Sequence, residues 1–240
     1  MHEGAYVGSE LELFAQADQW KAYLLSAMQE HVRGDVAEVG AGLGAYTKLF
    51  LSGPTAQNKT RSWSCIEPDS ELLAKLRAQL APHITSGRVR CISGTLEAVH
   101  ESARFDCILY IDVLEHIADD RAELTRAAEH LRRGGHLIVM SPAHEFLYSN
   151  FDRAIGHHRR YNAHSLASVA PAALKLECMR YLDSVGMLAS LVNRWLLKQS
   201  QPTHAQIQLW DKRMVPLSRL IDPWLGFHVG KSILGIWRKT

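Results

Sequence analysis

The sequence predicts an α/β protein with a doubly wound, mostly parallel sheet, and three observations lead there. Short apolar segments at 36–39, 62–66, 88–92, 105–111 and 136–140 recur with helix-compatible stretches between them, the alternation that builds parallel sheets from strand–helix–strand units. Phe105–Ile111 is apolar almost throughout, as a central strand covered on both faces must be. The first segment runs straight into Gly40-Ala-Gly-Leu-Gly44, a strand-to-helix turn whose glycines let backbone approach a ligand where a Cβ would clash.

The elements follow in order. Leu11, Phe14, Ala15, Trp20, Tyr23, Leu24, Ala27 and Met28 recur at helical spacing, and Gly34 stops the pattern, so residues 10–32 read as an N-terminal helical extension. Strand one at 36–39 feeds a helix at 46–51 that Ser52-Gly53-Pro54 ends. Strand two at 62–66 closes on Glu67-Pro68, and Asp69 caps a helix over 70–80. Strand three covers 88–92, strand four Phe105–Ile111 with a helix through about residue 131, and Gly134-Gly135 introduces strand five at 136–140. Residues 172–183 and 230–238 supply a sixth and a seventh strand, with a less regular stretch between them. Within it, Leu188, Leu191, Val192, Trp195 and Leu196 lie at helical spacing, interrupted by Asn193, Arg194 and Lys198. The expectation is one Rossmann-like domain over 1–240, with a lid-like or interface insertion at 184–225 whose apolar face covers an acceptor, a second copy or a membrane surface. Trp210, Trp224 and Phe227 would suit the same apolar pocket.

At 240 residues, 47% hydrophobic and 22% charged, the chain can bury one sizeable core. A net charge of +2 lacks the concentrated basic face that a phosphate backbone requires, which argues against nucleic acid as partner. Cys65, Cys91, Cys107 and Cys178 are widely spaced in apolar segments without a C-x-x-C pair, so they read as reduced core residues. The N-terminus lacks the pattern of a signal peptide, and no apolar run approaches the roughly 20 residues that span a bilayer. The expected location is cytoplasmic.

Gly40, Gly42 and Ala45 loosely fit a dinucleotide fingerprint, so the neighbours must choose the cofactor. Glu67, at the end of strand two, can accept from ribose hydroxyls in either case. Glu38, two residues before the first glycine, would repel a pyrophosphate and can organise a cationic amino group, unless it serves as a cap for nearby amides. Glu38-Val-Gly-Ala-Gly-Leu-Gly44 resembles motif I of class I S-adenosylmethionine-dependent methyltransferases. Ser93-Gly-Thr-Leu-Glu97 is similar to the loop that lies against adenine in that family, the segment from Phe105 to Asp120 resembles its strand-four motif, and Leu131-Arg-Arg-Gly-Gly-His-Leu-Ile-Val139 its turn into strand five. The resemblance covers most of the chain and implies S-adenosylmethionine as cofactor, S-adenosylhomocysteine as product, and a cofactor site formed by Glu38, Gly40, Ala41, Gly42, Gly44, Glu67, Pro68, Gly94, Thr95, Leu96, Asp112 and Val113. A short-chain dehydrogenase would need a Tyr followed four residues later by Lys, which the chain lacks.

Methyl transfer is an in-line displacement in which much of the catalysis comes from holding the acceptor on axis; a base is needed where the acceptor carries a proton. Asp112, Glu115 and His116 read either as an N-cap, its capping-box partner and a packed helix residue, or as working groups. The segment resembles the ubiquinone-biosynthesis O-methyltransferases, in which a carboxylate-x-x-Glu-His pattern is assigned to a metal. That resemblance implies Mg²⁺ at Asp112, Glu115 and His116 as an alternative to His116 acting as a base without metal, and the metal-free reading is the one adopted. Residues 141–161 carry His144, Tyr148, Asp152, His157, His158, Arg160 and Tyr161 and resemble the Asp-x-x-x-Gly-His-x-Arg-Arg-Tyr stretch of a bacterial methyltransferase-domain branch. Asp152 either pairs with Arg159 or Arg160 to stiffen this loop, or the loop supplies the base; the two roles are compatible. His116, His157, His158 and Tyr148 are the catalytic candidates. The expected reaction is O-methylation of a small, partly apolar molecule by a monomer or homodimer with peripheral membrane contact as an option, against N- or C-methylation or a non-catalytic cofactor-binding scaffold.

Overall fold

The computed structural model describes residue 14 and residues 16–53, 59–192 and 203–240. The chain alternates as α1 (Asp18–Met28), β1 (Gly34–Val39), α2 (Ala45–Ser52), β2 (Thr60–Glu67), α3 (Ser70–Gln79), α4 (Ala81–Thr85), β3 (Val89–Ser93), β4 (Phe105–Ile111), α5 (Asp120–His130) and β5 (Leu131–Pro142). It continues with α6 (Asn150–Ala154), α7 (Ala163–Val169), β6 (Leu174–Leu182), α8 (Ser184–Val192), α9 (His204–Leu209), a π-turn (Trp210–Met214), α10 (Val215–Ile221) and β7 (Ser232–Lys239).

The seven strands lie in the order β3-β2-β1-β4-β5-β7-β6. β1 to β5 pair in parallel, whereas β7 runs antiparallel to both β5 and β6. This is the expected mostly parallel doubly wound sheet. One face buries Leu24, Met28, Phe50, Leu51, Leu73 and Leu76 from α1, α2 and α3 against Val36, Leu109 and Ile138. The other buries Leu124, Ala127, Ala128 and Leu166 from α5 and α7 against Ala37, Ile108 and Val139. All four cysteines are free, two of them fully buried.

Several expectations need correction. Of the helix expected over 10–32, residues 10–13 and 15 lie outside the described residues, and α1 ends at Met28. α1 begins at Asp18 because the backbone amides of Gln19 and Trp20 donate to the carboxylate of Asp211, at 3.3 and 2.9 Å; a distant residue caps it. The helix expected directly after β4 is instead a 3₁₀ turn at Leu114–His116 followed by α5. Asp112 is therefore not an N-cap: its φ of 53° is left-handed, its amide donates to Met140 O at 2.9 Å, and the cap of α5 is Asp119, which accepts from Ala122 N. β5 starts five residues early, since Gly134-Gly135 is absorbed as an irregularity in the register with β4. The stretch before β7 is largely helical where described; Trp195, Leu196 and their neighbours at 193–202 lie outside the described residues.

Candidate active site

The glycines after β1 occupy backbone that other residues adopt at a cost, with φ of 66° at Gly40 and 53° at Gly42. A Cβ on Gly40 would stand 2.5 Å from Cγ2 of Val113, at the end of β4, so Gly40 is also needed for that close approach. The turn is tied to β2 from both sides. Gly40 N and Ala41 N donate to Ile66 O at 2.8 and 3.2 Å, and Gly42 N donates to Glu67 Oε2 at 2.7 Å. The other oxygen, Oε1, accepts from Asp69 N at 2.9 Å.

These turns floor a cleft of about 1810 Å³ at the carboxyl ends of β1, β2 and β4. That exceeds the roughly 300–1,000 Å³ typical of one small-molecule site and leaves room for two ligands side by side. Of the predicted cofactor residues, Glu38, Gly40, Gly42, Glu67, Pro68, Thr95, Asp112 and Val113 line it. The others support it: Ala41 and Leu96 are buried in the core, Gly44 precedes α2 in a left-handed conformation, and Gly94 N donates to Glu67 O at 3.0 Å.

Four carboxyls crowd this space, each held above its usual range. Glu38, 3% exposed, is pushed up to about 7 by burial, although Thr47 Oγ1 and Trp63 Nε1 both donate to its Oε2; its partners are side chains, not backbone amides. Burial raises Glu67. Asp112 rises to about 6 because the protein around it disfavours its charge, with the nearby His157, Lys231 and Arg160 opposing. Glu115 is fully buried, neither of its oxygens has a hydrogen-bond partner among the described residues, and burial together with the charge of Asp112 holds it well above the carboxylate range. Such a floor favours a cationic ligand.

The loop after β5 forms the opposite wall. Asp152 is fully buried and accepts from Ser149 N and Oγ, both at 2.8 Å, from His157 Nδ1 at 2.9 Å, and from Arg160 Nε and Nη2 at 2.8 and 3.0 Å. Those donors hold its carboxyl well below the usual range against the opposing effect of burial. Arg159 pairs instead with Asp120, which also accepts from Tyr161 OH at 2.7 Å. The stiffened loop and the candidate base thus share one network. His157 lines the cleft with Nε2 3.8 Å from Glu115 Oε1, and its ring meets that of His116 edge-on at 4.5 Å. Burial, and then the neighbouring His157, lowers His116 to about 4. The metal-capable groups that converge here are Glu115, His116 and His157; Asp112 is not among them. Tyr148 and His158 do not line the cleft: Tyr148 OH donates to His157 O at 2.7 Å, and His158 is exposed, its backbone amide donating to Glu115 O at 2.8 Å.

The sequence reading missed Lys231. It lines the cleft, 3.4 Å from Asp183 Oδ2 and 3.8 Å above the Trp210 ring, and burial lowers its pKa. Trp210, Val185, Leu188, Ala189 and Ile207 add an apolar side wall. Trp224, expected in the same pocket, is 91% exposed, and Phe227 packs under the Arg180 guanidinium at 4.8 Å.

Residues 37–137 match a family model described as a methyltransferase domain. No curated protein matches the chain in sequence. Among solved structures, the chain is similar to the N-methyltransferase NodS from Bradyrhizobium japonicum WM9, with 13% identity over 94% of this chain and 96% of that one and a TM-score of 0.56. The complex of NodS with S-adenosyl-L-homocysteine gives 14% identity over 94% and 87%, TM-score 0.57. An S-adenosylmethionine-dependent methyltransferase from Clostridium acetobutylicum ATCC 824 gives 11% over 96% and 95%, TM-score 0.57. The stretch from Ala37 to Leu137 is thus similar to a methyltransferase domain, and the chain shares the fold of these methyltransferase structures.

Proposed function

We propose that this protein transfers the methyl group of S-adenosylmethionine to a small, partly apolar acceptor, at a hydroxyl oxygen, and releases S-adenosylhomocysteine. The observation that carries the reading is Glu67, clamped between Gly42 N and Asp69 N in the floor of the cleft. Each of its oxygens accepts one of these bonds and keeps a second acceptor position, which suits a ribose diol. The cleft fits the cofactor on its own terms. The glycine turn admits close approach, and among the described residues no cation acts on the raised carboxyls of Glu38 and Glu67, a charge that a sulfonium and an ammonium would bring. When bound, the cofactor supplies an electrophilic methyl group on a positively charged sulfur.

The chain's own groups do the rest. Asp152 accepts from Nδ1 of His157, which fixes the tautomer with its lone pair on Nε2. Nε2 takes the acceptor's hydroxyl proton, and the resulting imidazolium lies between Asp152 and Glu115. His116, lowered to about 4, is too weak a base at neutral pH for that role and serves to position the ring of His157. The wall from Val185 to Trp210 meets the apolar part of the acceptor. Leu217, Leu220 and Trp224 stand exposed on α10 and the turn after it, which supports a peripheral contact with membrane in a protein that, among its described residues, has no helix long and apolar enough to cross one. The insertion at 184–225 then acts as the acceptor-side lid of a single cytoplasmic domain.

A second reading has one observation behind it. The unpartnered carboxyl of Glu115, with His116 and His157, could hold a divalent cation that would polarise the acceptor oxygen. Two imidazoles and one carboxylate fit a borderline transition metal better than Mg²⁺, so this donor set disagrees with the magnesium that the family resemblance implies.

Calorimetry with S-adenosylhomocysteine tests the cofactor site. Glu67→Ala is expected to weaken binding roughly ten- to a hundredfold, the loss of charge-assisted hydrogen bonds; unchanged affinity would sink the assignment. Methyl-labelled cofactor offered with phenols, amines and prenyl-like lipids tests the chemistry. Transfer confined to amines would replace the oxygen acceptor, and tight binding without transfer to any of them would favour a non-catalytic binding protein.

A further inference from the structure

At the opposite end of the sheet, away from the cleft, His31, His136 and Glu177 bring their ligand atoms within 4.8 Å of one another. None of the three lines the cleft. They come from three separate places: His31 follows α1, His136 opens the regularly paired part of β5 opposite Cys107, and Glu177 lies on β6. The register of β6 against β7 passes from Leu176↔Trp237 to Cys178↔Ile236, so Glu177 is the extra residue of a bulge, a device that re-aims a side chain out of the strand's alternation. Its Oε2 is 3.2 Å from His136 Nε2 and 3.9 Å from His31 Nδ1. The two rings lie 5.0 Å apart and 65° to each other, edge-on and not stacked, so one nitrogen from each can converge on a point. His136 is 4% exposed, and its Nδ1 has no hydrogen-bond partner among the described residues.

We propose that His31, His136 and Glu177 form a binding site for a divalent transition metal of the zinc type, which ties the segment after α1 to the β5–β7–β6 side of the sheet. Ligands 2.0–2.2 Å from a tetrahedral ion stand about 3.3–3.5 Å from one another, so the two spacings from Glu177, 3.2 and 3.9 Å, are already close to that value, and the two imidazole nitrogens draw together from within 4.8 Å. Two imidazoles with one carboxylate select zinc, cobalt or nickel over magnesium or calcium, and three protein ligands leave the fourth position to water. From His136 to Pro142, at the cleft, β5 advances about 20 Å, so the ion would brace the scaffold and take no part in methyl transfer.

The test uses untagged full-length protein, stripped with a chelator and titrated with Zn²⁺, Co²⁺ and Mg²⁺. The expected result is stoichiometric Zn²⁺ and Co²⁺ binding that Mg²⁺ does not displace, with visible ligand-field bands for Co²⁺ and a thermal midpoint that rises with Zn²⁺, because an ion bound only by the folded chain stabilises it. His31→Ala and Glu177→Gln each weaken binding at least ~10-fold and abolish the rise; both side chains are part-exposed, so these variants test the site without removing a buried ring. The double variant His116→Ala/His157→Ala, in the cleft, retains the His31-dependent binding and separates the two clusters. Failure of the parent to bind Zn²⁺, binding indifferent to His31→Ala and Glu177→Gln, or binding lost only in the cleft variant would each overturn the proposal.

Discussion

Glu38 carries a pH dependence that can be worked out from its position. Its carboxyl titrates near 4.5 when free and about 7 in the fold, so between those values the native state holds a proton that the unfolded chain has released. Stability therefore falls as pH rises through this window and levels off above it. The full shift corresponds to at most ~3 kcal/mol, and without cofactor Glu38→Gln is expected to melt a few degrees higher than the parent at pH 8 and to converge with it near pH 5. Identical melting profiles for the two proteins would refute the assignment. Function sets the opposite demand, since the same substitution removes a charge that attracts the cofactor's amino group. His157 is the second residue whose role can be measured. His157→Ala is expected to lower kcat by about 10²- to 10⁴-fold, the usual contribution of a positioned base, with cofactor affinity unchanged; Asp152→Asn should also lower kcat while leaving the imidazole present, because the carboxylate that fixes its tautomer is gone. Parental turnover in His157→Ala would place the base elsewhere. The glycine turn and the strand-end position of Glu67 were legible in the sequence because both depend on local turn geometry. Asp152, His157 and Glu115 were legible as residue types and not as a network, because Glu115 and His157 are 42 positions apart and meet only when the loop after β5 folds back. Lys231 gave no signal: it sits at the cleft because β7 is antiparallel, which sets Ser232 beside Pro142.

The helices of the insertion show what periodicity can and cannot reveal. α8 was visible as an apolar stripe, but α9 and α10 have six and seven residues, too short for two turns of pattern. What holds the insertion is polar and buried. Asp222 accepts from Tyr23 OH and Asp183 N, both at 2.7 Å, Asp183 accepts from Trp210 Nε1 at 2.7 Å and Ser218 Oγ at 2.6 Å, and Asp211 caps α1. With Asp211 and Asp222 turned inward, every exposed charge from Lys212 to Val229 is cationic or a histidine: Lys212, Arg213, Arg219 and His228. Beside them Leu220 is 68% and Trp224 91% exposed. Apolar anchors ringed by cations suit an anionic bilayer surface, where each basic residue adds about 1 kcal/mol. Sedimentation with vesicles should show binding that rises with anionic lipid content and drops ~10-fold or more in Trp224→Ala/Leu220→Ser. Equal sedimentation of parent and variant would exclude this face.

At the scale of the molecule, the first five strands were readable because each announces itself by a short apolar run. The last two strands were visible as segments, but their placement depended on a non-local choice: the final strand enters between β5 and β6. That placement has a consequence for how the protein is made. During synthesis β6 leaves the ribosome with no neighbour to pair with, and β5 waits with one open edge, until the last strand arrives and satisfies both at once. β1 to β5 can dock as they appear, whereas Lys231 and the acceptor-side wall reach their places only in that closing step. A nascent chain stalled before residue 232 would thus expose two sticky edges, a species that chaperones must shield, and cofactor affinity would be acquired during translation before the capacity to turn over.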